Sequence, residues 1–133
     1  MDYSEGLPER ESVDVRTDYL DFRNQVRAQY GIFYAQQMEL FFDRAYEEYQ
    51  RGFFMGAARH AEFALELGRL QEEMPLFHLI CFLVHVYIIL ANHTQAMHYL
   101  QLAYTVLDPD DANYEEHRER LQELQDDING IVN

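Results

Sequence analysis

The chain has 133 residues, 48% apolar and 14% aromatic, which suits one domain with its own core and excludes an intrinsically disordered chain. A formal net charge of −14, carried against ten arginines and no lysine, makes nucleic acid or an anionic membrane surface a poor partner. The single cysteine, Cys81, excludes an internal disulfide and favours a reducing, cytoplasmic setting.

Residues 1–14 are polar, contain Gly6 and Pro8 and show no apolar period, so they read as a flexible acidic arm before a single helical domain over 15–133. No basic start followed by an apolar run is present, so export by a signal peptide is not expected. Tyr19, Phe22, Val26 and Tyr30 then fall at helical spacing, with Gly31 as a stop, and define a lead-in helix over about 15–30. A second helix, about 33–51, has apolar side chains on more than one face, as a helix packed between neighbours should. Gly52 ends it. The third, about 54–70, is small on one side through Ala57, Ala61, Ala64 and Gly68, which lets another backbone come close.

Gln71 to Met74 form a linker, and Pro75 suits the first turn of a fourth helix that runs to about Ala91. This helix is strongly apolar, but it is too short to span a membrane and carries His78 and His85, so a buried core helix is expected and membrane insertion is not. Asn92 or His93 turns the chain into a fifth helix, about 94–107. Asp108-Pro109-Asp110 closes it, with the aspartates suited to cap a sixth. That last helix, about 111–130, has one apolar stripe and one wet face, as expected of a cap. The charge is uneven: residues 1–21 hold seven acids against two arginines, and 108–133 hold nine against two.

The middle of the chain is one helix pair written twice, over about 38–71 and 77–109. Phe41, Ala45, Tyr49, Gly52, Ala57 and Ala64 recur 39 residues later as Ile80, Val84, Ile88, Ala91, Ala96 and Ala103, and Pro109 ends the second copy. An offset of 34 plus an insertion of five, with small residues at the helix seams, resembles the tetratricopeptide repeat family. Size, acidity and layout also resemble its type III secretion chaperone branch. The resemblance implies an all-α fold, a short right-handed solenoid of about six helices in antiparallel hairpins, with a lead-in and a capping helix. It also implies a concave groove, lined by the first helix of each pair, that holds a segment of another protein. Carried onto this sequence, the groove positions are Glu39, Phe42, Tyr46 and Tyr49, then His78, Cys81, His85 and Ile88. Members that clamp acidic C-terminal tails use lysine, arginine and asparagine there. None occurs at these eight positions, so an apolar or aromatic segment is the expected guest. The alternative is a stripe filled by the chain's own first or last helix.

His78, Cys81 and His85 stand at i, i+3 and i+7, a spacing that could gather ligands around a metal, with Glu39 approaching from the neighbouring helix. Isolated histidines in an apolar helix more often serve packing, so neither a metal nor another cofactor is expected. No serine or cysteine has a recognisable base and orienting partner, and no glycine-rich phosphate loop occurs. The expected function is therefore non-enzymatic: an adaptor or chaperone module that binds another protein. Its rival is a structural subunit fixed in a larger assembly or homodimer; a metal-binding protein ranks below both.

Overall fold

The computed structural model describes residues 9–69 and 76–132, and places the side chains of 15–24, 38–69 and 76–131. Residues 1–8 of the expected acidic arm, and the expected linker Gln71 to Met74 with Pro75, lie outside the described residues. The described chain is all-helical: α1 (Glu9–Gln50), α2 (Phe54–Arg69), α3 (Phe77–Ile89), α4 (His93–Thr105), α5 (Tyr114–Asn129) and a closing 3₁₀ turn (Gly130–Val132).

The first element is helical throughout, yet it cannot be one rod. Tyr19 stacks on Tyr46 with ring centroids 4.5 Å apart, and Phe22 meets Phe42 edge-on at 5.1 Å. A straight helix would separate Tyr19 from Tyr46 by about 40 Å at 1.5 Å per residue. The element therefore folds back as two antiparallel arms, 15–24 and 38–50. The Tyr19 hydroxyl donates to the Asp43 carboxylate, and Arg23 lies 3.8 Å from Glu39, so polar contacts follow the same antiparallel register.

Two hairpins follow. Phe41 of the second arm faces His60 and Phe63, while Tyr49 faces Phe54, so α2 runs back along the arm it follows. α3 and α4 form the second pair, joined by a short turn and clasped by the stacked rings of Tyr87 and Tyr99. The repeat is faithful at its seams. Ala57 and Ala96 are both fully buried, as are Ala64 and Ala103, and Ala45 and Val84.

The equivalence extends to the backbone of the two turns. Gly52 has φ 81° and Ala91 has φ 55°, both left-handed. In the first turn the Phe53 N–H donates to the Glu48 carbonyl at 2.8 Å; in the second, Asn92 N–H donates to the Tyr87 carbonyl at 2.9 Å. A left-handed residue followed by a bond reaching back five positions is the Schellman ending, which satisfies helix carbonyls that have no partner further along. Asn92 then caps α4, its side chain accepting the Gln95 N–H at 3.1 Å.

α3 lies at the centre. Eleven of its thirteen residues, Phe77 through Tyr87, are buried. A helix apolar on every face must be enclosed on every face, and α3 packs against α1, α2, α4 and α5. The turn before α5 differs from the expected capping. Asp108 accepts the Asp110 N–H at 2.9 Å and Asp111 accepts the Asn113 N–H at 2.7 Å. These aspartates bond their own turn two residues on, and the residue flanking α5 is Asn113, whose side chain makes no cap hydrogen bond.

Candidate functional site

The second arm of α1 and α3 run side by side, with Phe42 and Phe82 at 5.0 Å and Tyr49 and His85 at 6.0 Å, and together they carry the eight positions expected to line a groove. Its floor is not open. Of the eight groove positions, Glu39, Phe42, Tyr49, His78, Cys81 and His85 are buried, and Tyr46 and Ile88 are half-buried. The first arm of α1 lies against the Phe42 and Tyr46 end, contributing Tyr19 and the fully buried Phe22. α5 closes the other side, where His117 stacks on Phe77 at 4.1 Å and meets His78 edge-on at 5.3 Å.

A buried polar tie holds this filling in place. The Arg120 guanidinium donates to both Asp18 carboxylate oxygens, at 3.2 and 2.7 Å, and His78 Nδ1 donates to the same carboxylate at 3.0 Å. Asp18 is only 1% exposed. A carboxylate so far from water survives as an ion only when charge and hydrogen bonds replace its hydration, and the bidentate arginine supplies both. One residue thus joins the first arm, α3 and α5.

The histidines expected as candidate ligands are engaged separately. His78 has Nδ1 on Asp18 and its Nε2 faces Asp21 at 3.8 Å, so both ring nitrogens already meet carboxylates. His85 Nε2 lies 3.4 Å from the Tyr49 hydroxyl. Burial, aided by the Arg120 charge and opposed by Asp18, lowers its pKa from 6.5 to about 4. It is therefore a neutral packing group across the physiological range. Burial also pushes the Cys81 thiol well above its usual value, which disfavours the thiolate that metals and electrophiles require. Among the described residues, no group of three or more His, Cys, Asp or Glu side chains is arranged to hold a metal ion, and no helix is long and apolar enough to cross a membrane.

An apolar opening lies elsewhere. Phe41, Phe63 and Leu67 line a cleft of about 480 Å³ between the second arm of α1 and α2, with Glu66 and Arg69 at its rim. Phe63 is 53% exposed, and Leu40, Met55 and Phe53 are exposed as well. The remainder of the outward face of α2 is charged, with Arg59, Glu62 and Glu66 interleaved around Phe63. Phe63 is the residue that sequence reasoning missed, and its signal was available: it is an aromatic set into the polar stripe of an otherwise amphipathic helix. Asp18 and Arg120 carried no such signal, because 102 positions separate them. Compared with protein-family models, curated proteins and solved structures, the chain matches none of them.

Proposed function

We propose that this chain is a non-enzymatic protein–protein interaction module that docks its partner at the outward cleft of Phe41, Phe63 and Leu67. The observation that carries the reading is the half-exposed Phe63 ring beside an apolar cleft. Large apolar side chains left in water next to a concavity are the usual mark of an interface. Both tetratricopeptide-like stacking and the secretion-chaperone layout fit such a role. The free, buried Cys81 thiol is compatible with a cytoplasmic setting.

A guest in the concave trough, at Glu39, Phe42, Tyr46, Tyr49, His78, Cys81, His85 and Ile88, would first have to expel the 15–24 arm and break the Asp18–Arg120 pair. Opening a buried ion pair leaves an uncompensated charge and costs about 3–5 kcal/mol. The outward cleft demands no such opening, which favours it as the docking surface.

The test is affinity capture with quantitative mass spectrometry from the native host, comparing the wild type with Phe63→Glu. The substitution lies on an exposed ring, so stability should change by roughly 0.5 kcal/mol or less. Loss of captured partner with an unchanged melting temperature is expected. Equal capture by both chains would defeat the reading.

A further inference from the structure

We infer that the partner seated on the α2 face is a second copy of this chain, docked about a two-fold axis with the two α2 helices antiparallel. The inference rests on the interaction reading above and specifies its occupant.

Arg59, Phe63 and Glu66 stand at i, i+4 and i+7 of α2, so they share one helix face. Arg59 and Glu66 are exposed, and among the described residues neither forms an ion pair within the chain. An exposed cation and an exposed anion, neither ion-paired among the described residues, thus flank an exposed aromatic ring, four positions before it and three after it. Antiparallel apposition of this helix with its own copy brings Phe63 against Phe63 at the centre. It also sets Arg59 of each chain opposite Glu66 of the other. A two-fold contact must be self-complementary, because the same patch meets itself. This face meets that condition in charge as well as in shape, since each Phe63 is a ridge beside the Phe41–Leu67 cleft that would receive its counterpart.

The overall charge of −14 would oppose association of two copies, but it is not distributed over this face. α2 carries Arg59 and Arg69 against Glu62 and Glu66, a local balance, while the excess acids lie in 1–21 and 108–133. Glu62 is already occupied by the Tyr99 hydroxyl, which donates to it. Glu66, exposed and without an ion pair among the described residues, is the acid of this face placed to receive the arginine of a second copy.

The test is sedimentation of the full chain over a concentration series, in the wild type and four variants. The wild type should reach twice the monomer mass of 15.9 kDa, and Phe63→Glu should hold it at the monomer mass. Arg59→Glu alone and Glu66→Arg alone should each weaken the dimer at least tenfold, because two-fold symmetry counts every substitution twice. The double variant Arg59→Glu with Glu66→Arg restores opposite charges across the axis and should recover the dimer. A wild type that stays monomeric at every concentration overturns the inference, and the capture experiment then decides the broader reading by itself. A dimer indifferent to Phe63→Glu, or a double variant no better than either single one, also overturns it.

Discussion

The Asp18 carboxylate and the Arg120 guanidinium meet in a two-pronged pair, 2.7 Å at its shorter contact, that ties the first arm of α1 to α5. Because Asp18 is 1% exposed and Arg120 16% exposed in its side chain, removing either partner strands charge in a poorly hydrated place. Asp18→Ala and Arg120→Ala should each lower the unfolding free energy by about 3 kcal/mol in urea titrations. The double variant should lose clearly less than the sum, as expected for groups in direct contact. Independent, additive losses would show that the pair is not a structural tie.

Gly52 and Ala91 occupy equivalent places in the two turns, but only one is suited to a left-handed backbone. A residue with a Cβ is strained there by roughly 1–2 kcal/mol, against the greater chain entropy that glycine loses on folding. Ala91→Gly should therefore stabilise the chain by up to about 1 kcal/mol, and Gly52→Ala should destabilise it by a similar amount. Thermal melts of the two variants check this. Shifts of the same sign would contradict the shared turn geometry.

His85 gives the fold a specific acid sensitivity. Its pKa is about 4 when folded and 6.5 as a free imidazole, so the unfolded chain binds a proton that the folded chain refuses. Stability from this residue is complete above pH 6.5 and is lost as pH falls towards 4; it amounts to about 3 kcal/mol by linkage. His85→Gln removes the titration. Across that window the wild type should lose about 3 kcal/mol more than the variant in urea midpoints converted to free energy. Parallel pH profiles would show that His85 titrates normally.

The repeat was legible because its determinants are local. Ala57 with Ala96, and Gly52 with Ala91, repeat at one offset, and each is fixed by a close helix approach or a turn within its own hairpin. The groove positions came from the family resemblance, and what packs over them was not legible. Phe42, Tyr49, His78 and His85 are buried, and what covers them comes from Asp18, Tyr19 and Phe22 at one end of the chain and His117 and Arg120 near the other. Helical spacing announces which side of a helix is apolar, not which distant segment buries it. Filling by the first or last helix was left open as an alternative, and the Asp18–Arg120 contact that fastens 15–24 to α5 is not readable from spacing. The outward cleft stayed hidden for a related reason, since Phe41 and Phe63 become neighbours only when the first hairpin closes.

Backbone hydrogen exchange of the full chain tests the central claim most directly, namely that the trough is filled from within. The account predicts that amides of 15–24 exchange as slowly as those of α3, because both open only when the Asp18 tie and the Phe22 packing are lost. Rapid, unprotected exchange of 15–24 beside a protected α3 would contradict it and return the concave face to the partner.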